Sequence, residues 1–112
     1  MKPGDIYFSQ FEPSVGFEIQ KSRPGLIIQK APYRNTVIVL PISSKPMTNN
    51  RFEFALRKDA YNRLYKDSVV VLDQVKSFDL SRFIGKIGEI HRTQLEQILL
   101  KFDDLLFSSY FF

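Results

Sequence analysis

At 112 residues the chain suffices for one domain with a buried core, and its lack of cysteine excludes disulfides and thiolate metal sites. One histidine, His91, leaves no ordinary zinc constellation, and twelve scattered carboxylates with no D-x-D cluster offer magnesium nothing, so neither metal nor cofactor is expected. The net charge of +4 and pI near 9.4 lean toward polyanionic partners. No apolar stretch approaches membrane-spanning length, and Met1-Lys2-Pro3-Gly4-Asp5 leads into no apolar leader segment, which reads as a cytoplasmic protein without membrane contact.

Pro3-Gly4 is a turn, and Ile6-Tyr7-Phe8 starts a short aromatic strand. From Ser9 to Pro24 apolar periodicity is weak and two prolines and Gly16 intervene, so this segment reads as a long connection, the kind that is usually functional or disordered. Its later part, Gly16 to Gly25, leads into the apolar run Leu26-Ile27-Ile28 and reads as a loop delivered onto a rigid strand. Glu18 and Arg23 lie in it, five residues apart, with Lys21 between. A carboxylate can take a proton and a guanidinium can hold two phosphate oxygens through its planar fork, a pairing suited to a phosphodiester. The alternative is a surface loop whose charges are solvated or form an exposed ion pair worth less than about 1 kcal/mol.

Leu26 to Lys30 is a second strand, Pro32 to Asn35 a turn, and Thr36 to Ile42 a third, β-branched strand buried on nearly both faces. It ends in Ser43-Ser44, whose hydroxyls either bind a ligand oxygen or satisfy loose backbone groups. Lys45 to Asn50 is a second polar loop. Phe52, Phe54 and Leu56 alternate with Arg51, Glu53 and Ala55 in the period of a half-buried strand. Arg57 to Asp67, which carries Tyr61, Leu64 and Tyr65, reads as a charged loop with a short helical turn. Ser68 to Phe78 is the most β-prone segment, its second half alternating Gln74 and Lys76 against Val75 and Ser77 so that one face meets solvent or a ligand. Asp79 to Arg82 is a tight turn, and Phe83 to Ile90, with Gly85 and Gly88, is a bent closing strand. Thr93-Gln94-Leu95-Glu96 fits a capping box that opens a helix, with Leu95, Ile98, Leu99, Phe102, Leu105 and Leu106 on one stripe. His91 reads as a solvated residue at the helix entry. The aromatic end Phe107 to Phe112 covers the core, joins an interface or is a sticky terminus. Short strands with one terminal helix imply a β-dominated (α+β) single domain over residues 1–112, a strongly curved sheet or partly open barrel.

Gly4-Asp5-Ile6, Gly16-Phe17-Glu18, Arg23-Pro24, Pro41-Ile42-Ser43 and Asp73-Gln74-Val75-Lys76 occur in the order and spacing of the MazF/PemK (Kid) toxin family, which the chain resembles over nearly its whole length. The resemblance implies a small SH3-like barrel of the MazF/CcdB type with a C-terminal helix, usually a homodimer. It also implies a metal-independent endoribonuclease that cuts single-stranded RNA at short sequences and is held inactive by an antitoxin, here expected to be a short acidic protein. The family's catalytic arginine corresponds to Arg23 and its loop glutamate to Glu18. Its strand-end threonine corresponds to Ser43, which keeps the hydroxyl but lacks the methyl that restricts the rotamer. Lys21, Lys45, Arg51 and Lys76 are candidate cations along an RNA path, Phe17 a stacking surface and Gln74 an amide able to read a base edge. Two other functions stay open: a CcdB-type toxin that binds DNA gyrase without catalysis, against which Arg23-Pro24 argues, and an inactive SH3-like binding module.

Overall fold

The computed structural model describes residues 1–11, 22–45 and 51–111, which form seven strands, two single 3₁₀ turns and a long C-terminal helix. The strands are β1 (Asp5–Gln10), β2 (Ser22–Lys30), β3 (Thr36–Ser43), β4 (Glu53–Leu56), β5 (Ser68–Val71), β6 (Lys76–Asp79) and β7 (Phe83–Glu89), followed by α1 (Arg92–Phe111). All pairings are antiparallel, in the order β4-β5-β3-β2-β1-β7, with β6 also on β3.

β3 is the spine. One of its edges pairs with β2, from Gly25 opposite Pro41 to Lys30 opposite Val37. The other edge is shared: Thr36 to Val39 pair with β6, while Ile42 and Ser43 pair with β5. The segment from Ser68 to Phe78 is therefore not the single strand its β-branched composition suggests. It breaks at a 3₁₀ turn, Leu72–Gln74, where it leaves one half of β3 for the other, and the turn drives Leu72 into the core at zero exposure. Pro41, which has no N–H to give a ladder, falls at this change of partner.

β2 also departs from expectation. It begins at Ser22, so Arg23, Pro24 and Gly25 are strand residues, opposite Ser9, Phe8 and Tyr7 of β1. The ladder partner comes from a distant segment, which local composition cannot report. Gly25 is required by packing, because a Cβ there would sit 2.6 Å from Val39 Cγ2 and 3.0 Å from the Phe11 ring. Leu26 and Ile27 are both fully buried, one in each of two apolar clusters on opposite faces of the sheet, as the continuous apolar run implies. The larger cluster joins Ile6, Leu26, Leu40 and Leu72 to Ile98 and Leu105 of α1. The smaller one fills the curl of the sheet. There Phe78 of β6 and Phe83 of β7 stand 6.2 Å apart, and Tyr7 and Phe11 contact them edge-on, at 6.1 Å from Phe83 and 5.0 Å from Phe78. This aromatic seam draws together two edges that no ladder joins, which gives the partly open, SH3-like barrel. β7 bends along β1 with two register shifts, as expected of a glycine-containing closing strand.

The helix starts earlier than the expected capping box. Ile90 N–H donates to Gly4 C=O at 2.9 Å and pins the end of β7, and α1 begins two residues later at Arg92. Gln94 Oε1 reaches back to accept from the His91 amide at 3.1 Å, whereas Glu96 meets Arg92 Nε at 3.3 Å. His91 is clasped rather than merely solvated: its ring stacks on Tyr61 at 4.6 Å and its Nε2 lies 3.6 Å from Asp59. Of the expected apolar stripe, Ile98 and Leu105 are buried, but Leu99 and Leu106 are exposed. They join Leu100 and Phe107, 70% and 57% exposed, in an uncovered apolar stripe. The helix runs on through Phe111 rather than ending before an aromatic tail.

Residues 57–67 form a loop with one helical turn, closed by the Arg63 amide donating to Asp59 C=O at 3.0 Å, and Asn62 organises it. Its buried side chain accepts from the amides of Asp59 (3.0 Å) and Leu64 (2.9 Å) and donates to Arg57 C=O (2.8 Å). This knot rests on β7 at Gly88, where a Cβ would lie 2.4 Å from Asn62 C=O. Arg63 takes the left-handed region (φ 55°), and Leu64 is then anchored in the main core.

Candidate active site

Continuing the β2–β3 register two residues past Gly25–Pro41 sets Arg23 opposite Ser43. Both line one cavity of about 540 Å³. Its walls come from Phe8 of β1, Ser22 to Pro24 of β2, Ile42 to Lys45 at the end of β3, and Leu64, Tyr65, Lys66 and Ser68 beyond the Asn62 knot. The described lining carries three cations, Arg23, Lys45 and Lys66, four serine hydroxyls, and no carboxylate.

The polar groups are arranged to donate. Arg23 is exposed at the strand end, and among the described residues no carboxylate pairs with its guanidinium. Ser43 Oγ accepts from the Lys45 amide at 3.2 Å, which fixes the hydroxyl and leaves its proton for a ligand oxygen. Ser22 Oγ is buried without a hydrogen-bond partner among the described residues, although it lines the cavity. A buried hydroxyl in that condition forfeits about 1–3 kcal/mol until something bonds to it. A concave site whose described lining holds a guanidinium, ammonium groups and hydroxyls but no carboxylate is suited to a polyanion, and its apolar walls suit flat bases.

Of the residues singled out from the sequence, Arg23, Ser43 and Lys45 meet in this cavity. Glu18, Phe17 and Lys21 lie outside the described residues. Arg51 does not line the cavity: its Nη2 donates to Ser108 Oγ at 3.0 Å, tying it to α1, and its guanidinium stands 5.7 Å from the Phe52 ring. Gln74 and Lys76 are exposed, at the 3₁₀ turn and in β6, also away from the cavity lining. Sequence reasoning missed Ser22, Tyr65 and Lys66. The run Arg63-Leu64-Tyr65-Lys66, an aromatic residue interleaved with cations, carried the signal, but only the folded knot brings it to the β2–β3 strand ends.

The family model for the PemK-like, MazF-like toxins of type II toxin-antitoxin systems matches residues 2–106. The chain belongs to this family. It is similar to the endoribonuclease MazF of Staphylococcus saprophyticus, 31% identical over 104 residues that cover 88% of this chain and 84% of the relative. Among solved structures, MazF from Deinococcus radiodurans superposes with a TM-score of 0.74 at 25% identity, covering 95% of this chain and 96% of that one. The fold also matches a MazE-MazF structure from the same organism, with a TM-score of 0.72, 22% identity and coverage of 95% of this chain and 94% of that one. Membership of the MazF/PemK family agrees with the barrel-like sheet and C-terminal helix.

Proposed function

We propose that this chain is the endoribonuclease toxin of a toxin-antitoxin pair and that it cuts single-stranded mRNA in the cytoplasm, without a metal, at the β2–β3 strand ends. The observation that carries this reading is the meeting of Arg23 and the fixed Ser43 hydroxyl in a cavity whose described lining has no carboxylate. RNA holds its own nucleophile beside each phosphate. The 2′-oxygen attacks phosphorus, the bond to the 5′-oxygen breaks, and a 2′,3′-cyclic phosphate and a 5′-hydroxyl result. The 2′-proton goes to a base, for which Glu18 is the candidate, and the leaving 5′-oxygen takes a proton from solvent.

Arg23 bonds the non-bridging oxygens as charge builds on the pentacoordinate phosphorus, where one preorganised donor is worth about 10²–10³ in rate. Ser43 donates to the same group, while Lys45 and Lys66 hold flanking phosphates. An acidic antitoxin segment laid over these cations would block the site by competing with RNA. The uncovered stripe Leu99, Leu100, Leu106 and Phe107 supports a homodimer through α1. Among the described residues no helix is long and apolar enough to cross a membrane.

The test is incubation of a long single-stranded RNA with the protein in EDTA. Discrete cuts ending in cyclic phosphate are expected, and a 2′-deoxy nucleotide at a mapped site should block that cut. Cleavage that persists at the deoxy site would refute the mechanism.

A further inference from the structure

Tyr65 is 95% exposed, with no ring neighbour and no hydrogen bond among the described residues, yet it forms part of the cavity wall that holds Arg23 and Ser43. Phe8, 37% exposed, also lines the cavity, while several other aromatic residues of the barrel engage neighbouring rings. Tyr7 meets Phe83, Phe11 meets Phe78, and Tyr61 stacks on His91. Tyr33 is as exposed, at 99%, but it sits in the turn between β2 and β3, at the far end of that hairpin from the cavity. Exposure alone therefore does not set Tyr65 apart. Its position does.

The backbone under Tyr65 is held on both sides. Leu64 is anchored in the core and its amide donates to Asn62 Oδ1 at 2.9 Å, while Ser68 Oγ donates to Lys66 C=O at 2.8 Å. A tyrosine has only two side-chain torsions to fix, so a ring on so firm a base presents a flat face at small entropic cost. Lys66 and Lys45 line the same cavity, without carboxylate partners among the described residues. An exposed aromatic face and cations lining one cavity are the combination that single-stranded nucleic acids use, the phosphates meeting ammonium groups and an unstacked base lying on the ring.

We infer that Tyr65 is a stacking platform for a base of the RNA strand near the cleaved phosphate, and so a positioning residue for the reaction. The inference rests on the nuclease reading. It requires the base to leave its neighbours and lie on the Tyr65 ring as the backbone crosses from Lys45 to Lys66. The contact tolerates any base, because each has a π face.

The experiment uses an RNA carrying a 2′-deoxy nucleotide at a mapped cut, so that binding is read without cleavage, together with cleavage of the unmodified RNA. Tyr65→Ala should weaken binding about 5- to 150-fold, the range for one base on an aromatic ring. KM should rise while kcat moves less. Tyr65→Phe, which keeps the ring, should rescue binding, and Tyr33→Ala should bind as the unaltered protein does. The chain has no tryptophan, so Tyr65→Trp makes a single reporter whose emission should be quenched when RNA stacks on it. If the unaltered protein cuts RNA and Tyr65→Ala binds it equally well, or Tyr33→Ala loses as much, the platform is refuted and the nuclease stands. If the unaltered protein neither cuts nor binds RNA, both fall.

Discussion

β1 carries a different treatment of charge at each of its ends. At the Asp5 end the cations are matched: Lys2 Nζ donates to Glu89 Oε1 at 2.6 Å, and Lys86 Nζ lies 3.3 Å from buried Asp5 Oδ1 and 3.8 Å from Glu89. About 13 Å along the strand, opposite Ser9, begins the cavity where Arg23, Lys45 and Lys66 face hydroxyls and apolar walls without a carboxylate in the described lining. The first end spends its cations inside the molecule, where they hold β1 and β7 together. The second leaves them without a carboxylate in the described lining, as the proposed RNA site requires. A net charge of +4 describes both ends equally, so it is the placement of the carboxylates, not the excess of lysine and arginine, that makes a binding site.

Substitutions should separate the two ends. Arg23→Ala should lower RNA cleavage by about 10²–10³ and leave the denaturation midpoint unchanged, since the proposed role of Arg23 is to stabilise the transition state and among the described residues no carboxylate pairs with it. Equal cleavage by the variant would detach Arg23 from the chemistry. Ser43→Ala should lower the rate by about tenfold to a hundredfold, the range for a hydrogen bond to a charged group, and Ser43→Thr should retain activity because the hydroxyl stays. At the other end Lys86→Met leaves the Asp5 carboxylate, only 3% exposed, without its cation, and should cost about 1–3 kcal/mol in urea unfolding with cleavage per folded molecule unchanged.

The smallest effect is expected from Glu89→Gln, and it should depend on pH. The Lys2 hydrogen bond holds the Glu89 carboxyl below its ordinary value of 4.5, so its contribution is present above that value and is lost as pH falls through the folded-state value. The same bond raises Lys2 above 10.5, and that contribution is present below 10.5 and fades as pH climbs through the raised value. Unfolding curves of Glu89→Gln and the unaltered protein should differ at neutral pH and converge in acid. A difference that persists in acid would show that the carboxyl acts by packing rather than charge.

Much of this architecture was legible before folding. The alternation and β-branching of Thr36 to Ile42, the apolar run after Pro24 and the stripe through Ile98 and Leu105 mark their elements, because burial on one face or two leaves a period in the sequence. Arg23 and Ser43, singled out by the ordered family pieces, line one cavity. What local composition hid depends on distant partners. The break at Leu72 reflects β3 changing neighbours, and the early start of β2 reflects pairing with β1. The helix cap moved because Gly4 pins Ile90. Arg51 looked like a free cation by the second loop, but Ser108 of a helix far along the chain engages it. Tyr65 looked like one more loop aromatic because its placement depends on the Asn62 knot seated at Gly88.

The most direct test of the contrast is the salt dependence of binding to the uncleavable RNA. For a single strand, each phosphate neutralised adds about 0.7 to the slope of log affinity against log salt. Lys45→Ala and Lys66→Ala should each reduce the slope by about that amount, while Lys2→Ala should leave it as in the unaltered protein. A slope that falls equally on removal of Lys2, or does not fall on removal of Lys45 and Lys66, would contradict the assignment of the β2–β3 strand ends as the RNA site.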